Sequence, residues 1–210
     1  MTTIVYKDGV LATDTLVVVT NNSEDPGMTD KIRTVMPPSL RVRRAILPSG
    51  GKLVMSEESD WVFGVSCDSP GGFDRVRYIL SQVTVGDWTD AAFIDALAGE
   101  TLDPATSIIG VHRETLEVCF YKRRTNKGDD ASIFRRGLKP DRPYALGSGS
   151  WEAMMSMTAK NCDAKRAVQL ACVNDLTSGG GVYWLDVQSG KDGTLSCPRN
   201  PSPEQQDMMH

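Results

Sequence analysis

The stretch TTIVYKDGVLATDT, residues 2–15, decides how the rest of the chain is read. Thr2 to Tyr6 is β-branched and aromatic, Asp8 and Gly9 form a strong hairpin signal, and strand character resumes from Val10 to Val19. The same opening carries a chemical possibility. A terminal α-amino group titrates near about 7.7–8.0, where a general base works best at neutral pH. Removal of Met1 would leave Thr2 with that amine beside its own hydroxyl, so one residue would supply both nucleophile and base.

Composition makes this chemistry more pointed. Among 210 residues there are two histidines, His112 and the terminal His210. A multi-histidine metal site is therefore not expected, and any Ser-His-Asp or Cys-His arrangement would have to use His112, which no motif recruits. Five cysteines (Cys67, Cys119, Cys162, Cys172 and Cys197) show no CxxC spacing, which suggests neither zinc nor a disulfide framework. No cofactor is implied. A formal net charge of −4 argues against general nucleic-acid binding. The basic run Lys122-Arg123-Arg124, with Arg135 and Arg136 downstream, is short and offset by Asp129 and Asp130. The sequence has no run of apolar residues long enough for a membrane span and no charged-then-apolar leader, so a soluble, cytoplasmic protein is expected.

Outward from the first hairpin, Asn21–Gly27 reads as a loop. Short strands are predicted at Lys31–Met36, Arg41–Leu47, Lys52–Met55 and Trp61–Cys67. Phe73, Val76, Ile79, Leu80 and Val83 recur at helical spacing, and Phe93, Ile94 and Leu97 mark a second helix. Strands follow at Thr106–His112 and Leu116–Lys122, then a polar insertion at 127–142. Tyr144–Leu146 leads through Gly147-Ser148-Gly149-Ser150 into a helix with Trp151, Met154, Met155 and Thr158 on one side. Asp163 caps another helix, Ala164–Leu176, and a glycine turn enters the strand Val182–Val187. Strands, helices, strands, helices and strand in blocks predict an α+β fold with stacked sheets. Residues 1–188 read as one domain and 189–210 as a flexible C-terminal tail.

Four segments, in order, carry a resemblance. They are TTIVYKDGVLATDT (2–15), GMTDKIRTV (27–35), YALGSGSWEAMMSM (144–157) and NDLTSGGGVYWLDV (174–187). The set resembles the mature proteasome β-subunits and bacterial HslV, and is similar to proteasome-like peptidases of bacteria and phages, across residues 2 to about 188. The resemblance implies a four-layer αββα sandwich of the N-terminal nucleophile hydrolase type. It implies Thr2 as nucleophile and base, Asp14 and Lys31 beside it, and Ser148, Asp175 and Ser178 holding the α-amine and positioning water. Where the family has a glycine whose N–H forms the oxyanion hole, this chain has Gly64-Val65-Ser66-Cys67-Asp68, which puts Cys67 or Asp68 near that place. Taken singly, Asp14 is also an ordinary strand-end turn former, Lys31 a surface lysine, Ser148 a residue near a helix cap, and Asp175 and Ser178 parts of a helix-terminal turn.

The function so implied is a threonine-type endopeptidase, active once Met1 is removed, in a self-compartmentalising homo-oligomeric ring. It would take peptide or unfolded-protein substrates in a bacterial or phage-infected host cytoplasm, and an ATP-dependent unfoldase is an expected partner. A catalytically silent proteasome-like assembly or interaction protein is the alternative, and an amino-terminal amidase acting on small amides is a third.

Overall fold

A computed structural model describes residues 3–20, 31–35, 41–42, 45–46, 53–56, 61–67, 76, 106–124, 132–175 and 178–197. The first strand, β1 (Thr3–Lys7), folds back on β2 (Val10–Asp14), with Lys7 opposite Val10. Both residues of the connecting turn hold positive φ, 50° at Asp8 and 77° at Gly9. Such a turn matches the right-handed twist of the strands, and an aspartate-glycine pair adopts it at low cost.

β2 stops at Asp14, short of the unbroken strand to Val19 that the sequence predicts. The Thr15 N–H donates to the carbonyls of Gly179 at 3.2 Å and Gly181 at 2.9 Å, and its hydroxyl accepts from the Gly181 N–H at 2.7 Å. These bonds pin Thr15 to the turn before the last core strand. The chain then leaves as β3 (Leu16–Thr20), which pairs with β4 (Lys31–Val35) in a separate two-stranded sheet.

Seven strands build the next sheet: β5 (Arg41–Val42), β6 (Ala45–Ile46), β7 (Leu53–Ser56), β8 (Trp61–Ser66), β9 (Ser107–His112), β10 (Val118–Arg124) and β11 (Ser132–Leu138). They lie in the order β11-β10-β9-β8-β7-β6-β5, each antiparallel to its neighbours. Two corrections to the sequence reading arise here. Arg41–Leu47 is not one strand but contributes the short paired strands β5 and β6. Much of the stretch 127–142, expected to be a polar insertion, is the edge strand β11. An edge strand tolerates charge, so its sequence lacks the apolar alternation that marks a buried strand. His112 closes the β9–β10 turn: its Nδ1 accepts the N–H groups of Glu114 and Thr115, both at 3.3 Å.

The remaining elements are β12 (Tyr144–Gly147), α1 (Ser150–Ala159), α2 (Ala164–Asn174), β13 (Gly181–Asp186) and β14 (Asp192–Ser196). The second antiparallel sheet runs β12-β1-β2-β13-β14. β14 lies within the stretch expected to be a flexible tail. It is mostly exposed, and Tyr183 on β13 ties it down by donating its hydroxyl to Asp192 Oδ2 at 2.6 Å. Burial, and then the Asp192 carboxylate, push the Tyr183 hydroxyl well above its ordinary range, so it remains a donor.

Alternation along β1 sorts its side chains between two cores. Ile4 and Tyr6, with Leu11, cluster with Val62, Ile109 and Val118 of the other sheet. Val5, with Ala12 and Val182, clusters with Ala153, Val168 and Ala171 of the helices. Each fully buried large aliphatic or aromatic side chain of this kind contributes about 1.5–3 kcal/mol relative to exposure. The fold is therefore α+β: two stacked antiparallel sheets, with α1 and α2 on the outer face of the five-stranded one. The helices expected within 73–97 lie outside the described residues, apart from Val76, which is helical and wholly buried. Among the described residues no helix is long and apolar enough to cross a membrane.

The buried face of α1 also differs from expectation. Ala153, Ser156 and Met157 face inward, whereas Trp151 is 70% exposed and Met155 44%. Met154 packs in part against the cluster that holds Ala153 and Met157, so the residues grouped on one side of the helix divide between core and solvent.

Candidate active site

Three of the four quoted segments converge where β1, the end of β2, the β12–α1 turn and the end of α2 meet; the other contributes β4 to the two-stranded sheet. Gly147, with φ 89°, turns the chain sharply from β12 towards α1, which leaves Ser148 exposed and Gly149 buried at the helix start. At the far side, Asp163 caps the start of α2 by accepting the Arg166 N–H at 2.8 Å. The helix ends at Asn174, two residues before the expected Leu176, because Asp175 takes extended backbone angles. Its N–H still closes the last helical turn onto the Ala171 carbonyl at 2.8 Å, and the change of direction brings its carboxylate towards the β12–α1 turn.

Asp175 Oδ2 accepts two hydroxyls, from Ser148 at 2.6 Å and Ser178 at 2.7 Å. Ser178 Oγ lies 2.6 Å from Thr3 Oγ1. A hydroxyl has one proton. With the Ser178 proton committed to the carboxylate, Thr3 must be the donor to Ser178. The chain of donors thus runs Thr3 to Ser178 to Asp175, with Ser148 joining at the carboxylate. Thr3 and Ser178 are buried and Ser148 is exposed, so the network leads from the strand end to solvent.

Asp14 holds the other side of Thr3. Its carboxylate is completely buried and accepts the Thr3 N–H at 2.8 Å through Oδ1 and the Gly179 N–H at 3.1 Å through Oδ2. Burying a carboxylate is costly without such partners. Two backbone donors from the two sides of the site meet that need and fix β1 against the turn after α2.

Three of the expected residues, Ser148, Asp175 and Ser178, are thus joined in one network, and Asp14 is linked to it through Thr3. Ser178 meets the Thr3 hydroxyl, with Asp175 and Ser148 behind it; Thr2, at which the resemblance aims all three, lies outside the described residues. Lys31 opens β4, where its backbone pairs with Thr20; its side chain lies outside the described part. Met1, Thr2 and Asp68 lie outside the described residues. Cys67 is half-buried just after β8, on the other sheet.

Two participants were not singled out from sequence. Thr3 reads only as a strand residue until its hydroxyl is seen at Ser178. Gly149 is required by close approach: a Cβ there would run into the Thr3 hydroxyl and come within 3.1 Å of the Ala171 Cβ and 3.2 Å of the Ser178 hydroxyl. The glycine between Ser148 and Ser150 was the available signal, since glycine often marks a place where two backbones come close. Among the described residues, no group of three or more His, Cys, Asp or Glu side chains is placed to hold a metal ion. No protein-family model matches this chain, and no curated protein matches it.

Proposed function

We propose that the chain is an amino-terminal threonine peptidase of the proteasome β-subunit and HslV type, with Thr2 as nucleophile. The observation that carries this reading is the doubly held Thr3, whose N–H is bound by buried Asp14 and whose hydroxyl is bound by Ser178. The peptide bond joining residues 2 and 3 is planar, so anchoring Thr3 restricts the residue before it. A nucleophile attached to a fixed strand end loses little freedom on attack, which is the main entropic need of an acyl transfer.

In this mechanism the free α-amine of Thr2 takes the hydroxyl proton as Oγ attacks a peptide carbonyl. The amine passes that proton to the leaving nitrogen, and an ester remains on Thr2. Water then hydrolyses the ester and frees the acid. Lys31 places positive charge where the alkoxide develops, Asp14 orients the strand end, and a backbone N–H near Cys67 or Asp68 receives the oxyanion. The finer fold belonging to this reading is the four-layer αββα sandwich. The assembly belonging to it is a homo-oligomeric ring in the cytoplasm, fed with unfolded protein by an ATP-dependent unfoldase. The seven-stranded sheet stacked on the five-stranded one, and the position of the network at the end of β1, support that architecture.

The alternative is a silent subunit that keeps the fold and lacks turnover. It draws on the bond between Ser178 and Thr3, which ties the network of Ser148, Asp175 and Ser178 to the strand without calling on catalysis. Intact mass of protein from its native host, followed by labelling with an electrophilic threonine-protease inhibitor, separates the two. Loss of Met1 and a label on Thr2 are expected. Thr2→Ala and Lys31→Ala should each abolish peptide hydrolysis while leaving the melting transition in place. Retained Met1, or unchanged turnover in either variant, sinks the peptidase.

A further inference from the structure

The register of the seven-stranded sheet sets Ile109 opposite Phe120 and Phe120 opposite Arg136, so the three form a row on one face across β9, β10 and β11. Leu138, two residues on from Arg136 and opposite Val118, shares that face. It is the face turned towards the five-stranded sheet, since Ile109 and Val118 belong to the core between the sheets. The row thus runs from buried Ile109, through half-buried Phe120, to exposed Arg136. Tyr144 and Leu146 of β12 approach from the other sheet and are themselves half-buried. The core stops short of the edge here and leaves a cavity of about 510 Å³, a volume within the usual range of ligand pockets.

The connection from β11 to β12 brings two more cations to that cavity. The Arg142 N–H donates to the Lys139 carbonyl at 3.2 Å and closes a turn, which sets both residues along the cavity wall. Two tyrosines hold the turn. The Tyr144 hydroxyl accepts the Lys139 N–H at 2.8 Å, and Tyr6 donates to the Pro140 carbonyl at 3.2 Å. Their rings stack with centroids 6.4 Å apart. Arg136, Lys139 and Arg142 therefore line one cavity with no carboxylate among them, in a chain of net charge −4. Asp141 belongs to the same turn but stays off the lining. Gathering like charges raises the local potential, and an anion seated among them would relieve it.

We infer that this cavity binds a small amphiphilic carboxylate, a medium-chain aliphatic acid, with its chain over Phe120 and Leu138 and its head at Arg136. Apolar and cationic side chains on a single face suit a ligand that carries both characters along its length. Ile109 and Arg136 are two strand spacings apart, about 10 Å, a distance that an extended chain of about eight carbons covers. The guanidinium fork matches a carboxylate, and Lys139 and Arg142 add positive charge at the mouth. Burial of the chain supplies the affinity, and the cations set the choice of sign. The site is independent of the Thr2 chemistry: it lies on the side of the five-stranded sheet that carries Ile4 and Tyr6, whereas the Thr3 hydroxyl faces Ser178 on the helix side.

The test is isothermal titration calorimetry of the full chain with octanoate. The controls are octylammonium, which keeps the chain and reverses the head, and acetate, which keeps the head alone. One saturable site per chain is expected for octanoate, weakening as salt is raised. Octylammonium should bind at least about tenfold more weakly, and acetate should give no heat at the same concentrations. Arg136→Gln combined with Arg142→Gln should weaken octanoate about tenfold or more, and should leave the melting transition in place because both side chains are exposed. Several results would overturn the inference. They are no binding of octanoate, uptake without saturation, equal binding of octylammonium, or indifference to the arginine substitutions. Acetate binding as tightly as octanoate would also do so, since it would mark a patch for any small anion. The ligand comparisons use the unaltered chain, so they decide the matter whatever the folding of the variant.

Discussion

The two ends of β1 both carry polar side-chain bonds, but they hold the molecule in different ways. At the Thr3 end the bonds are buried, linked in series and centred on two carboxylates, Asp14 and Asp175. At the Lys7 end they reach the surface: Lys7 Nζ donates to Asn161 Oδ1 at 2.9 Å and to the Cys162 carbonyl at 2.8 Å. Tyr6 donates its hydroxyl to the Pro140 carbonyl at 3.2 Å. Water can replace the partners of Lys7 when they are lost, but it cannot easily replace those of Asp14. One end of the strand is fastened in a way that tolerates change; the other depends on every member being present.

Asp14→Ala tests that difference most severely. It would strip the buried N–H groups of Thr3 and Gly179 of a shared acceptor, and a buried donor left unmade costs about 1–3 kcal/mol. The expected loss is about 2–5 kcal/mol in a urea unfolding experiment, the largest for any single polar substitution among the side chains that hold β1. A loss no greater than that of a surface substitution would mean that water reaches this end as well, and the contrast between the two ends would disappear.

Gly149→Ala is expected to rank second, at about 1–3 kcal/mol, as is usual when extra volume is forced into a packed site. Its cause can be isolated by a double-mutant cycle. With Thr3→Ala in the background, the main obstruction to the new methyl is gone, so part of the cost should vanish. Strict additivity of the two substitutions would show that Ala171 and Ser178, not the Thr3 hydroxyl, set the clearance.

The local chemistry of these two ends was legible in the sequence to different degrees. The hairpin was readable because Asp8 and Gly9 name their own turn. The strands β8 and β9 were readable because their central residues are apolar. Asp163 announced the start of α2 by its capping chemistry. What failed depended on tertiary partners. Thr15 breaks a strand only because Gly179 and Gly181 are across from it, and β11 and β14 are edge strands whose charge hides their period. α1 buries Ala153, Ser156 and Met157 and leaves Trp151 outside, a choice set by the neighbouring α2 and sheet. The site shows the same division. Asp14, Ser148, Asp175 and Ser178 stood out by motif, but Thr3 and Gly149 acquire meaning only from a contact across 175 residues of chain and from a missing Cβ.

At the Lys7 end, Lys7→Met keeps the aliphatic stem and removes the ammonium. Its bonds are near the surface, so a loss of about 0.5–1 kcal/mol is expected in thermal unfolding. A loss comparable to that of Asp14→Ala would make the two ends equivalent.

The smallest expected effect concerns a carboxylate outside either network and shows what a half-buried acid does by comparison with the fully buried Asp14. Asp186, at the end of β13, accepts the Ser189 N–H at 2.9 Å, and this bond, followed by the Ser189 hydroxyl, holds its carboxyl below the usual range. A carboxyl whose folded pKa is depressed binds fewer protons folded than unfolded. Its contribution is therefore complete above the unfolded value of about 3.9 and is lost as pH falls through the lower folded value. Because the residue is only half-buried at the end of its strand, solvent screening keeps that contribution to a few tenths of a kcal/mol at most. Asp186→Asn should leave Tm nearly unchanged at neutral pH and slightly flatten its decline below about pH 4. A steep, unchanged acid limb in this variant assigns the acid sensitivity to other carboxylates.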